Sequence, residues 1–183
     1  MPALVPPVLS GLPEQQPTLP AGDLVLRPWR DDDAPALLDV YADEAVQRWH
    51  CESLDADEAE GYARRWADLW RTGSRAGWAV VRDDVLVGRV TLSRLVLEGG
   101  QGEITYWTAP WARGTGVAPD AVQAVSAWAF DLGFQRLELQ HSTHNHASCR
   151  VAQKAGFALE GTKRRAGLHQ DGWHDMHLHA RLA

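Results

Sequence analysis

The hydrophobic and polar positions repeat with two different periods along the chain, and these periods predict its strands and helices. Alternation over 24–29 predicts a first strand, and apolar residues spaced three and four apart predict helices over 31–41 and 55–71. Two runs rich in Val and Leu, within 77–93, flank the polar segment Arg82-Asp83-Asp84, which predicts an antiparallel hairpin. The first half of the chain therefore contains both helices and paired strands.

The second half of the chain predicts a strand, a glycine-containing turn, a helix and a further strand, in that order. The strand covers 103–108, the turn 113–118, the helix 119–132 and the next strand 136–140. The elements that follow are a helix over 145–155 and strands over 157–165 and 173–182. Because helices alternate with strands here, we expect an α/β fold with helices packed against a mixed sheet.

The first 22 residues differ in composition from the rest of the chain. Six prolines in residues 1–22 exclude a helix or a central strand, so we expect an arm that is flexible or lies on the surface. The length of 183 residues is typical of one domain, which we place at 23–183. Between its first two helices, Gln47-Arg48-Trp49-His50 is interpreted as a linker.

The charge, the apolar segments and the cysteines of the chain indicate which partners and which cellular compartment to expect. The chain has 18 basic and 24 acidic residues, a net charge of −6, which disfavours nucleic acid and is compatible with a cationic partner. Without a signal-peptide pattern or an apolar run that could span a bilayer, we expect a cytoplasmic protein with no membrane partner. Cys51 and Cys149 are far apart in sequence and are expected to be free thiols.

The turn at 113–118 is the first segment that indicates chemistry. Its glycines let the backbone approach a ligand closely, and the free N–H groups at the start of the following helix can bind a phosphate. The turn lacks the glycine spacing of a dinucleotide-binding fold and the Gly-Lys-Ser/Thr ending of a P-loop. We therefore expect a phosphate-containing ligand of another class.

Two sequence blocks resemble the signatures of the GNAT acetyltransferase family. Pro-Trp-Ala-Arg-Gly-Thr-Gly-Val-Ala at 110–118 resembles the family's pyrophosphate loop, P-x-x-R-G-x-G-x-A. Residues 145–157 resemble its second block, which begins with Asn, carries Ser three residues later and ends in Gly-Phe. With Tyr106-Trp107 before these blocks and Gly172-Trp173 after them, the chain resembles the Rim-type ribosomal-protein N-terminal acetyltransferases over about 24–182.

The resemblance implies a single GNAT-like domain with a central, mostly antiparallel sheet, in which two strands splay apart and leave a cleft for acetyl-CoA. The implied cofactor-binding residues belong to the strand before the loop, to the loop itself and to the next helix start. They are Tyr106, Trp107, Thr108, Arg113, Gly114, Thr115, Gly116, Val117, Ala118 and Asn145. Pro119 and Asp120 differ from the residues that this branch often carries, but both suit a helix start.

Acetyl transfer to an amine needs a neutral amine, a polarised carbonyl and a proton for the departing thiolate. We expect Glu103 to be the base, acting directly or through a water; the alternative is an exposed strand carboxylate. Ser148 matches the family serine that faces the CoA sulfur and is the expected proton donor. The alternative for Ser148 is a first-turn serine that binds a free backbone N–H group.

Aromatic residues are the expected lining of the acceptor end of the cleft. We predict that some of Trp49, Tyr62, Trp66 and Trp107 contact the substrate there, because they occur in the elements that should cover the cleft. For Tyr62 and Trp66 the alternative is packing, since both lie on the apolar stripe of the helix predicted over 55–71.

Histidines near the C-terminus raise the question of a metal site. Alternation on the last strand puts His177 and His179 together on its polar face, where we expect solvated side chains, so no metal is predicted. Cys149, at a helix start, has an environment that favours a thiolate, but no partner His and Asp or Asn can be assigned to it. Direct transfer from the cofactor to the amine is therefore preferred.

The resulting functional hypothesis is an acetyl-CoA-dependent N-acetyltransferase that acts on a primary amine. The Rim-type resemblance favours a protein or peptide N-terminus as acceptor, small-molecule amines remain open, and a homodimer is compatible with it. The alternative is a non-catalytic protein that binds acyl-CoA on the same fold.

Overall fold

The computed structural model describes residues 7–183, which form one eight-stranded sheet with six α-helices. The strands are β1 (Leu19–Ala21), β2 (Leu24–Arg27), β3 (Ala76–Arg82), β4 (Val85–Val96), β5 (Gln101–Thr108), β6 (Arg136–Ser142), β7 (Ala158–His169) and β8 (Gly172–Leu182). The helices are α1 (Ala34–Tyr41), α2 (Glu44–His50), α3 (Ala56–Glu60), α4 (Tyr62–Arg71), α5 (Val117–Leu132) and α6 (His146–Lys154). Within the described residues, no helix is long and apolar enough to cross a membrane.

The sheet is mixed and mostly antiparallel, as the sequence predicts. Its strand order is β1-β2-β3-β4-β5-β6-β8-β7, and the pair of β5 and β6 is the parallel one. The predicted hairpin is β3 and β4, whose turn residues Asp83 and Asp84 have φ angles of 50° and 60°. Two successive positive φ angles match the right-handed twist of the strands that they connect.

The sheet opens between β5 and β6. These strands pair only where 101–103 lie beside 136–138, whereas on its other side β5 pairs with β4 as far as Thr108. Beyond Glu103, one backbone edge of β5 is therefore not paired with β6. This opening is the cleft that the family resemblance implies.

Hydrophobic cores cover both faces of the sheet. In β3, Trp78 and Val80 belong to a core with α5, and the alternate residues Ala79 and Val81 belong to a second core with α1, α2 and α4. Successive strand residues point to opposite faces, so β3 is buried on both sides. The helices consequently fix the sheet, and with it the position of the cleft.

Two predicted elements differ from the observed ones. The helix expected over 55–71 is two helices, because α3 ends at Glu60 and is followed by Gly61, a residue type that costs about 1 kcal/mol in a helix interior. The segment interpreted as a linker at 47–50 belongs to α2, which begins at the N-cap Asp43, whose side chain accepts a hydrogen bond from the Val46 N–H. This seven-residue helix is too short to produce a clear period in the sequence.

The proline-rich arm lies along the domain in its described part, and residues 1–6 fall outside the described residues. The indole N–H of Trp70 donates to the Pro13 carbonyl (3.0 Å), and that of Trp78 donates to the Pro17 carbonyl (2.8 Å). Pro20 lies in β1, an edge strand, where a missing backbone N–H is tolerated. The arm thus supplies carbonyl partners for two core tryptophans.

Candidate active site

The glycine turn is held in a shape that only glycine adopts without strain. Gly114 and Gly116 have φ angles of 78° and 87°, and α5 begins directly after Gly116. The first N–H groups of a helix have no partner within it, and the helix dipole makes this end positive. The turn therefore has the geometry of an anion site.

A cavity of about 490 Å³ lies between this turn, the end of β5 and the start of α6. Most of the residues that the sequence predicts for cofactor binding line it. They are Tyr106, Trp107, Thr108, Arg113, Gly114, Gly116, Val117, Ala118 and Asn145. Ser148 and Trp49 line the same cavity.

Thr115, the remaining predicted cofactor residue, does not line this cavity. Its hydroxyl donates to the Ala112 carbonyl (2.8 Å) and accepts from the Arg82 guanidinium (3.0 Å). These two hydrogen bonds connect the turn to Ala112 and to Arg82 of β3. In the structure its side chain thus stabilises the loop.

Arg113 connects the turn to α2. Its guanidinium forms an ion pair with Asp43, and this hydrogen bond lowers the pKa of the Asp43 carboxyl. Asp43 is also the N-cap of α2, so one carboxylate starts the helix and fixes it against the loop. The sequence showed Arg113 as a loop residue, but not its partner 70 positions earlier.

Ser148 and Tyr106 line both cavities. The Asn145 side-chain oxygen accepts a hydrogen bond from the Ser148 N–H (3.0 Å), which caps α6 and sets the serine in its first turn. The Tyr106 hydroxyl is buried and has no hydrogen-bond partner in the described part of the chain. Burial raises the pKa of Tyr106 to about 12, and the nearby Ser148 hydroxyl partly offsets this effect. Both hydroxyls are protonated at neutral pH.

Glu103 lies near the cleft but not on its wall. Its carboxylate accepts a hydrogen bond from Gln140 (3.0 Å) and pairs with Arg94 (3.1 Å). Burial raises the pKa of Glu103, while Arg94 opposes the shift. Gln140 lines a second cavity of about 120 Å³, which also touches Tyr106 and Ser148. One side chain therefore separates Glu103 from this cavity.

The predicted substrate residues are divided between the cavity and the core. Trp49, on α2, lines both cavities. Tyr62 and Trp66, on α4, are 4% and 7% exposed and pack in the second core with Trp29. They do not line either cavity and therefore match the alternative, which was packing in the core. Their stripe faces the sheet because α4 lies against β3.

His50 is a site residue that sequence reasoning left without a role. It lines both cavities beside Trp49. Burial and the positive charge of Arg89 lower the pKa of His50 to about 3, so the imidazole is neutral at physiological pH. The signal that could have revealed His50 is a short helix after an Asp N-cap, which would direct the Trp49-His50 pair toward the sheet.

His177 and His179 of the last strand were expected to be solvated, but His179 is fully buried and His177 is partly buried. His141, on the neighbouring strand β6, is 6% exposed, and burial lowers the pKa of both His141 and His179. The pattern correctly puts His177 and His179 on one face of β8. However, β8 lies between β6 and β7, and Cys149 of α6 approaches that face. Burial therefore comes from elements distant in sequence.

The fold and the site define a class of protein. A mixed sheet that opens between two parallel strands, with a glycine turn and a helix start at the opening, is the architecture of the GNAT acetyltransferases. The family model described as "Acetyltransferase (GNAT) domain" matches residues 23–158. The chain belongs to this family and is an acetyltransferase, which confirms the class inferred from its two sequence blocks.

Individual relatives agree with this assignment. An uncharacterized N-acetyltransferase, YoaA of Bacillus subtilis (strain 168), is 28% identical over 161 residues, covering 85% of this chain and 90% of the relative. The ribosomal-protein-serine acetyltransferase of Escherichia coli (strain K12) is 28% identical over 115 residues, or 62% and 64% of the two chains. The solved structure of RimL, a ribosomal L7/L12 α-N-protein acetyltransferase in complex with coenzyme A, superposes with a TM-score of 0.81 at 20% identity over 91% and 98% of the chains. The relatives thus include Rim-type ribosomal-protein acetyltransferases.

Proposed function

We propose that this acetyltransferase transfers the acetyl group of acetyl-CoA directly to a primary amine, with a protein or peptide N-terminus as the favoured acceptor. The observation that carries the proposal is the cavity of about 490 Å³, which joins the helix start at 116–118 to the Ser148 side chain. An anion site at one end and a hydroxyl at the other suit a ligand with a pyrophosphate and a thioester. RimL was solved with coenzyme A, and the microcin C7 self-immunity acetyltransferase MccE, a protein of similar fold, was solved with acetyl-CoA and AMP; both support this cofactor.

Ser148 is the proposed proton donor for the CoA thiolate. Its backbone N–H is held by the Asn145 cap, and the residue lines the cavity together with Tyr106. As the thioester breaks, the sulfur gains an electron pair, and a neighbouring hydroxyl can supply the proton that the thiolate needs. The Tyr106 hydroxyl, which is close to Ser148 and protonated, would stabilise the serine oxygen.

Glu103 is proposed to accept the amine proton through a water molecule. Because Glu103 does not line the cavities, a water beside Gln140 would have to connect it to the amine. An α-amine has a reference pKa of about 7.7 to 8.0, so a considerable part is protonated at neutral pH and a carboxylate is a sufficient base. His50 lines the cavities itself, but its pKa of about 3 makes it a weak proton acceptor.

The acceptor assignment is supported by the relatives and by charge. The Escherichia coli relative is named for a ribosomal-protein serine, and RimL for the α-amine of L7/L12. The net charge of −6 favours a cationic acceptor such as a basic protein. These observations favour a protein N-terminus over an uncharged small molecule.

The test is release of CoA in the presence of a panel of acceptors. Peptides with free Ser, Ala or Met N-termini should be acetylated, and the same peptides with blocked N-termini but free lysines should not. Small amines such as polyamines and amino acids complete the panel. Turnover of small amines alone would refute the peptide acceptor, and tight acetyl-CoA binding without turnover on any amine would indicate a non-catalytic acyl-CoA-binding protein.

A further inference from the structure

Three imidazoles and a thiol converge at one point behind the cleft. His141 lies on β6, His177 and His179 on β8, and Cys149 on α6. One ligand atom from each residue lies within 4.8 Å of all the others. The convergence follows from the fold, because His141 is the register partner of His177 and α6 passes over the same face.

The hydrogen bonds of two of these imidazoles fix which ring nitrogen carries a proton. Nδ1 of His141 lies 2.8 Å from the Ser142 carbonyl, and Nδ1 of His179 lies 3.4 Å from the Phe157 carbonyl. A carbonyl oxygen only accepts, so each Nδ1 donates and each Nε2 of the neutral ring has a lone pair. The two Nε2 atoms face each other at 3.2 Å. Two lone pairs at this distance repel unless a cation lies between them.

The remaining two residues decide which cation fits. A proton bridges two atoms, whereas here a third imidazole and a thiol point to the same place. Nδ1 of His177 is buried and has no hydrogen-bond partner among residues 7–183. A divalent metal ion would satisfy all of these donors at once. The hydrogen bonds from Nδ1 to backbone carbonyls are those that commonly orient metal-binding histidines.

We propose that His141, Cys149, His177 and His179 form a binding site for Zn²⁺. Three imidazole nitrogens and one thiolate are ligands that Zn²⁺ prefers in a tetrahedral arrangement. With Zn–N distances of about 2.0 to 2.1 Å, two nitrogens of a tetrahedron are about 3.3 Å apart, close to the separation of the two Nε2 atoms. The thiol loses its proton to solvent on binding, so the thiolate contributes one negative charge.

The site would connect three elements of the catalytic half of the domain. The ion would attach α6 to β6 and β8 through Cys149, which directly follows Ser148 in sequence. Because all four ligands are supplied by the protein, the ion would have a structural role. This proposal does not depend on the identity of the acyl donor or of the acceptor.

The experiment measures Zn²⁺ binding by chain purified without a histidine tag and freed of metal by chelation. We expect one Zn²⁺ per chain in competition with a chromophoric chelator, with a dissociation constant of about 1 μM or tighter. Co²⁺ in the same site should give the visible absorption of a tetrahedral complex and a thiolate-to-metal charge-transfer band. Cys149→Ser should remove that band. His177→Gln should weaken Zn²⁺ binding by more than about 100-fold, because losing a direct ligand costs more than the loss of about 10- to 100-fold that follows removal of an outer-shell partner.

The controls are residues of the same type outside the cluster. Cys51→Ser and His144→Gln should leave the stoichiometry and the Co²⁺ spectrum unchanged, and circular dichroism should show that every variant is folded. The proposal is overturned if the folded wild type binds no Zn²⁺ in this range. It is also overturned if binding survives in both Cys149→Ser and His177→Gln, since the ion would then lie elsewhere.

Discussion

Replacing Gly116 by Asp is the most direct perturbation of the proposed pyrophosphate site. The new Cβ would lie 3.3 Å from the Asp120 carboxylate, so two negative charges would meet at the helix start. A unit charge about 4 Å from a phosphate charge costs about 1 kcal/mol in water and about 4 kcal/mol near a protein surface. The variant should therefore bind acetyl-CoA about 5-fold to about 900-fold more weakly.

Backbone strain must be separated from charge in this experiment. The φ angle of 87° at Gly116 is unfavourable for any L-residue, by about 1 to 2 kcal/mol. Gly116→Asn carries nearly the same shape and strain without the charge, and Asn tolerates this region better than most residues. Calorimetric titration of both variants with acetyl-CoA, together with their melting temperatures, isolates the charge effect. Equal affinity of the folded Asp and Asn variants would refute the loop as the pyrophosphate site.

Four further predictions concern the chemistry, the acceptor and the pH dependence. Ser148→Ala should lower turnover by about 10²- to 10⁴-fold with acetyl-CoA affinity nearly unchanged; unchanged turnover would remove the proton-donor role. Glu103→Gln should lose most activity at pH values below about 8, where the α-amine is protonated, provided that the pH is above the raised pKa of Glu103, so that the wild-type carboxylate is ionised. An equal loss of activity at every pH would indicate a structural role. Trp49→Ala should change acceptor selectivity in the peptide panel more than stability, whereas buried Trp66→Ala should cost about 3 to 5 kcal/mol in denaturant unfolding; the reverse order would contradict both assignments. The pKa of His50 is about 3 in the folded protein and about 6.5 in the unfolded chain, so the unfolded state gains the proton first as the pH falls, and the free energy of unfolding decreases by at most about 1.4 kcal/mol per pH unit between these values. The free energy of unfolding of His50→Gln should therefore depend less steeply on pH than that of the wild type between pH 7 and pH 4.

The features that the sequence predicted well are those that depend on neighbouring residues. The turn at 113–118 and the start of the helix at 145 each need only a few adjacent residues, because glycine conformation and helix starts are local properties. The β3–β4 hairpin is local for the same reason. The family assignment also rested on such short segments, and it was confirmed.

The features that the sequence did not predict depend on contacts between distant residues. The pairing of Asp43 with Arg113 spans 70 positions, and no local pattern indicates that α2 closes over the loop. The environment of the C-terminal histidines depends on the insertion of β8 between β6 and β7. Alternation can tell which residues share a face, but it cannot tell what covers that face.

Arg89 illustrates how such contacts change the interpretation of Tyr62, one of the predicted substrate residues. In sequence Arg89 is a polar residue within a strand, which suggests solvent, but β4 is buried on both faces and the guanidinium is enclosed. It donates to the hydroxyls of Tyr41 (2.7 Å) and Tyr62 (2.9 Å) and lies 5.8 Å from the Trp107 ring, which lines the cleft. A buried cation needs these partners because an unpaired charge is costly. Tyr62 therefore supports the cleft wall through Arg89 and Trp107, and does not line the cleft itself.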